Sequence, residues 1–185
     1  MAVRIQFELT IEDDDNIRAR HGGGEPMATD TLTIQLIDDT NRESVVALTV
    51  ASDQAHFIET NAESLREMES DVKHAWQCYA LCRNEHPVGF MMIGAENKAE
   101  RYVWIDRFMI DVTEQGKGIG SRMLQLALVW IQDRYDVDDI ILSLHPTNEP
   151  AKRFYGKGGF VDSGLIDESN GEEIWVYHVK QGQPS

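Results

Sequence analysis

Gln115-Gly116-Lys117-Gly118-Ile119-Gly120-Ser121 stands between a strand-like segment, residues 102–111, and a helical segment, residues 118–134. A glycine-rich turn that ends a strand and opens a helix exposes several backbone N–H groups at a positive helix N-terminus. Such a turn suits a pyrophosphate. Glycines at 118 and 120 let the backbone approach a ligand closely. The spacing is neither that of a P-loop, which needs a lysine-serine pair, nor the GxGxxG of a dinucleotide fold.

A second motif follows about thirty residues later. Asn148, Ala151 and Tyr155 lie in Asn148-Glu149-Pro150-Ala151-Lys152-Arg153-Phe154-Tyr155, and Gly158-Gly159-Phe160 turns the chain into the next strand. The first loop fits Gln/Arg-x-x-Gly-x-Gly/Ala. Together the two motifs resemble the GCN5-related N-acetyltransferases (GNAT), over residues 31–179. Within that family Arg107-Phe108-Met109-Ile110-Asp111 and residues 142–148 look like bacterial spermine/spermidine acetyltransferases. The resemblance implies a mixed α+β fold whose central, mostly antiparallel sheet is flanked by helices. It also implies acetyl-CoA as co-substrate; no metal is expected, because the histidines are scattered without metal spacing.

The rest of the chain fits a single domain. At 185 residues it is long enough for a full core, and 42% hydrophobic content is ordinary. No apolar run reaches the roughly 18 residues of a membrane span, and no signal peptide precedes the domain. Cys78 and Cys82, four apart on one strand face, would stand about 13 Å from each other, beyond disulfide reach. They read as core thiols of a reduced, cytoplasmic protein. The histidines at 21, 56, 74, 86 and 178 have no metal spacing. The net charge of -15 argues against nucleic acid and is compatible with a cationic substrate, although solubility alone explains it as well. CoA is an anion, so local positive groups are expected near it: the loop amides, Lys117, and Lys152 or Lys157. The expected partner is a small-molecule amine, with a homodimer as a further expectation and neither nucleic acid nor membrane.

Residues 3–11 alternate as a strand. Asp13-Asp14-Asp15 and Gly22-Gly23-Gly24-Glu25-Pro26 form a loop before Met27, which is either an internal residue behind a genuine extra strand or the native start. Residues 1–30 are thus an N-terminal extension, 31–180 the acetyltransferase domain and 181–185 a tail. Leu32, Ile34 and Leu36 alternate as the next strand. Helices are expected over 41–50, capped by Asp39 or Thr40, and from Ser52 or Asp53 to about residue 68. Strands over 75–83 and 88–94 form a hairpin through residues 84–87. Ile119, Met123, Leu126, Ala127, Trp130 and Ile131 give the helix after the loop an apolar stripe, read as core. Strands over 140–144, 160–165 and 173–179, and a short helix over 148–156, complete the layout.

The resemblance assigns the site residue by residue. Gln115, Gly116, Lys117, Gly118, Ile119, Gly120 and Ser121 would anchor the pyrophosphate. The main chain of Phe108, Met109 and Ile110 would pair with pantetheine like an added strand. A splay between that strand and residues 140–144 would open the slot. Asn148 would bond pantetheine or cap its helix, and Lys152 lies beside it. Tyr155 would be the general acid, since a phenol of pKa about 10 can protonate a thiolate of pKa about 8.5; its alternative is plain aromatic packing. An amine of pKa about 10 is almost wholly protonated at pH 7, so a base is required. Asp106, expected to share a face with Trp104 and Phe108, is one candidate and a salt-bridged aspartate otherwise; His145 is the second. Glu59, Glu63 and Glu67 recur every fourth residue and would make an acidic stripe, either a polyamine cradle or a solvated helix face. The expected reaction is direct attack of an amine on acetyl-CoA. A polyamine is the favoured acceptor, against an aminoglycoside, amino acid or protein amine, or a non-catalytic acyl-CoA sensor.

Overall fold

A computed structural model describes residues 7–9 and 30–179; the remainder of the expected strand over 3–11 and the tail lie outside the described residues. Eight strands form one sheet, in the order β1-β2-β3-β4-β5-β6-β8-β7. They are β1 (Phe7–Leu9), β2 (Leu32–Leu36), β3 (Gln77–Arg83), β4 (His86–Asn97), β5 (Tyr102–Ile110), β6 (Asp139–Leu144), β7 (Val161–Ile166) and β8 (Glu173–His178). Every neighbouring pair is antiparallel except β5–β6. That parallel step needs a long crossover, which α3 (Ile119–Arg134) supplies.

Two hydrophobic clusters sandwich the sheet. On one face α3 buries all six residues of its expected stripe, together with Leu124 and Leu128, against Leu32, Ile34, Met91, Ile105 and Ile140. Each of the Leu, Ile and Met side chains among them contributes about 1.5–3 kcal/mol on burial. On the other face α1 (Arg42–Val46) and α2 (Asn61–Ser70) cover Cys78, Ala80, Cys82, Phe90, Met92 and Met109. Both thiols are buried and unbridged, on the same face. Between β3 and β4 the hairpin turns on Asn84 and Glu85, both at positive φ, as a two-residue turn with right-handed strand twist requires.

Both N-terminal helices are shorter than the sequence suggests. The first stops at Val46 because residue 49 is claimed by the end of β5: Val112 N–H donates to Thr49 O at 2.7 Å, and Thr49 N–H donates to Asp111 Oδ2 at 2.9 Å. Its cap position is Asn41 rather than Asp39 or Thr40, and the Asn41 side chain bonds Leu36 O and Asp38 N instead of the helix. The second helix starts at Asn61, not at 52 or 53. Thr60 caps it reciprocally: Thr60 Oγ1 accepts from Glu63 N–H, and Glu63 Oε2 accepts from Thr60 N–H at 2.9 Å. Residues 52–58 form turns instead, with Gln54 N–H donating to Ala51 O and Phe57 N–H to Gln54 O, each at 2.9 Å.

A bulge in β5 changes which residues share a face. Met92 pairs with Arg107 but Ile93 pairs with Ile105, so Asp106 is a surplus residue in the ladder. Val103 and Ile105 belong to the α3 side, as do Phe108 and Ile110, while Trp104 and Met109 belong to the α1–α2 side. The expected common face of Trp104, Asp106 and Phe108 is therefore wrong, because one inserted residue reverses the alternation.

Candidate active site

Ladder pairing between β5 and β6 ends at Trp104↔Ile141. Beyond that point β5 remains paired to β4 as far as Ile110, and β6 to β8 as far as Leu144. The two parallel strands therefore part, and a cleft of about 1020 Å³ opens between residues 105–110 and 142–145. Residues 53–60 stand over it, and the glycine loop and the start of α4 (Glu149–Lys157) close its other end. The splay expected from the sequence is present.

At the loop end, Gly116 (φ 74°) and Gly118 (φ 77°) are left-handed, and a Cβ built on either meets nothing within 4 Å. A side chain there would be strained and would enter open space beside the cleft. Gly118 caps α3 with no side-chain bond, so the N–H groups of the first turn point forward without a preceding carbonyl. Gly116, Gly118, Gly120 and Ser121 line the cleft, whereas Ile119 is buried in the core and can offer only its main chain. Gln115 braces the loop from behind: its Nε2 donates to Ile110 O and Gln54 Oε1. The donor set and the open space fit a pyrophosphate-bearing ligand. The two lysines do not join this set. Lys117 Nζ lies 3.5 Å from Glu114 Oε2. Lys152 Nζ lies 2.9 Å from Glu173 and donates to Pro146 O at 2.7 Å, and the Glu173 bond raises its pKa. Neither lysine lines the cleft, because nearer carboxylates and carbonyls hold them.

Along the floor, Phe108, Met109 and Ile110 line the cleft, and Asn148 lines it while capping α4, its side chain accepting from Ala151 N–H at 3.2 Å. Tyr155 projects from α4 into a cage of rings. Phe154 lies at 5.0 Å, Phe160 at 5.5 Å and Phe108 at 6.5 Å between centroids. It is only 8% exposed yet lines the cleft, and burial pushes its phenol above its ordinary pKa of 10. The phenol is therefore a neutral O–H at any physiological pH. The thiols are neutral too: burial pushes Cys78 up to about 12 and Cys82 up to about 11.

On the α1–α2 face the carboxylates expected to form a stripe are already engaged. Arg107, its side chain 14% exposed, donates Nη2 to Glu67 Oε2 at 3.1 Å and Nη1 to Asp106 Oδ2, while its Nε lies 2.8 Å from Glu59 Oε2 as an ion pair without hydrogen-bond geometry. Glu59 precedes α2 rather than riding on it. Glu63 is folded back on Thr60, whose hydroxyl and N–H pull its pKa down. The acidic stripe is thus a three-carboxylate clasp on one guanidinium plus a helix cap. Asp106 lines the cleft, within this clasp. His145 also lines it, with Nδ1 bonded to Thr147 Oγ1 at 2.9 Å and its ring 5.5 Å from Phe57.

Gln54, Phe57, Phe154, Asn170 and Glu172 line the cleft without having been foreseen. Thr60-x-x-Glu63 is a capping-box signal, and it would have released residues 53–59 from the helix and exposed Gln54 and Phe57 as loop residues. For Glu172 no motif existed. Only the pairing of β6 with β8 brings it beside Ser143. Among the described residues no three His, Cys, Asp or Glu converge as a metal site, and no helix is long and apolar enough to cross a membrane.

The profile of the Acetyltransferase (GNAT) family matches residues 41–160. A spermine/spermidine N(1)-acetyltransferase of Bacillus subtilis (strain 168) is 33% identical over 152 residues, which cover 79% of this chain and 97% of the relative. Among solved structures, spermidine N-acetyltransferase from Vibrio cholerae in complex with CoA and spermine aligns at TM-score 0.61 and 16% identity, covering 78% of this chain and 92% of its own. Aminoglycoside acetyltransferase AAC(6')-Ib in complex with coenzyme A aligns at 0.65 and 17%, covering 80% and 94%. At these identities the solved structures are evidence of the fold.

Proposed function

The chain belongs to the Acetyltransferase (GNAT) family, and we propose that it moves an acetyl group from acetyl-CoA to a primary amine of a polyamine such as spermidine or spermine. The acceptor class rests on one observation: a relative named for spermine and spermidine is 33% identical to this chain across 97% of its own length. An acidic chain, net charge -15, is in keeping with a polycationic acceptor.

In this reading the first-turn amides of α3 and the loop from Gln115 to Ser121 receive the pyrophosphate, with roughly 0.3–1 kcal/mol from the helix terminus. The unpaired edge of β5 over Phe108, Met109 and Ile110 takes the pantetheine main-chain bonds that β6 no longer takes. An amide of that edge polarises the thioester carbonyl. The Asp106 carboxylate, or His145, receives the proton leaving the ammonium, through water. The amine nitrogen then bonds to the carbonyl carbon as the carbon–sulfur bond breaks. The Tyr155 O–H gives its proton to the departing thiolate. Attack is direct, since Cys78 and Cys82 are buried neutral thiols in the core beneath α1 and α2. The proposal extends to a cytoplasmic protein, in keeping with its unbridged cysteines, and to a homodimer, which sedimentation would test.

The test is thiol release from acetyl-CoA across an amine panel. Spermidine and spermine should exceed monoamines, aminoglycosides, amino acids and peptide N-termini in kcat/KM. A panel in which polyamines are no better than simple amines removes the acceptor assignment.

A further inference from the structure

The two limbs of the cleft part after the last ladder pair between them. Asp106 lies two residues beyond Trp104 on β5, and Ser143 lies two residues beyond Ile141 on β6, where the last ladder pair is Trp104↔Ile141. On the β5 limb the half-buried carboxylates Asp106 and Glu67 share the Arg107 guanidinium. On the β6 limb stands a third half-buried carboxylate, Glu172. Its partners are all neutral. Ser143 Oγ donates to Glu172 Oε2 at 2.5 Å, and Asn170 Nδ2 donates to the same oxygen at 3.2 Å. No described residue bonds Oε1, and no described cation neutralises the group.

Glu172 is also firmly mounted. Its N–H donates to Asn170 Oδ1 at 2.9 Å, and its carbonyl accepts from Asp167 N–H at 2.8 Å. Ser143 points away from the α3 core, since its neighbours Leu142 and Leu144 are the residues buried there. Glu172 therefore presents an uncompensated negative charge to the cleft wall opposite the Arg107 clasp. Phe57 and His145, their rings 5.5 Å apart, also line the cleft, and the face of the Phe57 ring attracts cations.

We propose that Glu172, held by Ser143, receives the second ammonium of a di- or polyamine acceptor and so sets the preference for polycations over monoamines. This rests on the polyamine reading above. It moves the cation-reading charge from the α2 carboxylates, which Arg107 and Thr60 occupy, to the β7–β8 turn. The reacting amine stays near Tyr155 while the distal ammonium meets Glu172, so this carboxylate acts on binding and not on the bond-making step.

The experiment measures kcat and KM for spermidine and for hexylamine with wild type, Glu172→Gln, Glu172→Asp and Ser143→Ala, at low and high sodium chloride. With Glu172→Gln the KM for spermidine should rise at least tenfold with kcat within twofold. The kcat/KM for hexylamine and the KM for acetyl-CoA should stay within twofold. Salt should weaken spermidine use by wild type far more than by Glu172→Gln, because screening acts on the lost charge pair. Glu172→Asp should fall between the two. Should Glu172→Gln fail to fold, Ser143→Ala, which releases the carboxylate without removing it, should shift spermidine KM alone. Equal losses for both amines, or an unchanged spermidine KM, overturn the assignment. Wild type that favours spermidine while Glu172→Gln keeps that preference overturns Glu172 only. Wild type with no preference for spermidine overturns the polyamine reading and this inference together.

Discussion

Gln115 and Gln54 are joined side chain to side chain, Nε2 to Oε1 at 2.9 Å, so the glycine loop and the segment over the cleft are one braced unit. The same Nε2 donates to Ile110 O at 2.9 Å, at the end of β5. Gln115→Ala removes both bonds, each worth about 0.5–1.5 kcal/mol net. The variant should melt lower and should raise KM for acetyl-CoA about three- to tenfold with a smaller change in kcat. Melting curves and initial rates check this, and an unchanged KM would show that the brace does not shape the loop.

Gly118 and Gly120 separate ligand affinity from fold stability. Gly118 sits at positive φ, so Gly118→Asp should cost both stability and CoA affinity. Gly120 is helical, and an added Cβ meets Phe154 at 3.4 Å, an ordinary contact. An aspartate in the first turn favours the helix by about 0.3–1 kcal/mol. Gly120→Asp should therefore keep its melting temperature while losing at least tenfold in CoA affinity, about 1.4 kcal/mol. Calorimetry showing full affinity in either folded variant would remove the loop from the CoA site.

Tyr155→Phe should lower kcat by about 10²–10⁴ where chemistry limits the rate, with little change in KM for acetyl-CoA. The folded phenol is raised above 10 by burial. The acid thus remains protonated, and wild-type kcat should show no alkaline loss from Tyr155 below about pH 10. The stability consequence has the same sign. The folded state holds this proton more tightly than the unfolded chain, so stability is complete below the unfolded pKa and declines as pH rises through it. An unaltered kcat would return Tyr155 to packing alone.

The two thiols should be silent in the native protein. With Cys78 raised to about 12 and Cys82 to about 11 by burial, neither forms thiolate near neutrality. A disulfide reagent at pH 8 should label no thiol before unfolding and both after it. Rapid labelling of the folded protein would reopen a covalent route. The stability of the buried neutral thiols should be lost as pH climbs from their unfolded value of about 8.5 toward those folded values.

Much of the fold could be read from particular residues. The α3 stripe, the Asn84–Glu85 turn and the strand–loop–helix around Gly118 each carry local signals that tertiary contacts reinforce. The helix limit at Val46 could not be placed, because Thr49 is held by Asp111 and Val112, sixty residues away, whereas the start at Asn61 was signalled by Thr60-x-x-Glu63. The bulge at Asp106 left no trace in the alternation of Trp104, Asp106 and Phe108. The site divided in the same way. The glycines and Tyr155 announce themselves by motif, whereas Glu59 and Glu67 meet Arg107, and Glu172 meets Ser143, only after the sheet has formed.

The splay beyond Trp104 gives this sheet an edge in its interior. An outer edge is open to any strand of any chain and invites association. The edge along Phe108, Met109 and Ile110 is different, since it faces a cleft that residues 53–60 also line. Its residues line the cleft and lie away from the outer rim of the sheet. The same parting that opens the cleft therefore leaves β5 paired on one side only, away from the outer rim where another chain would add, and turns its other side toward a ligand in the cleft.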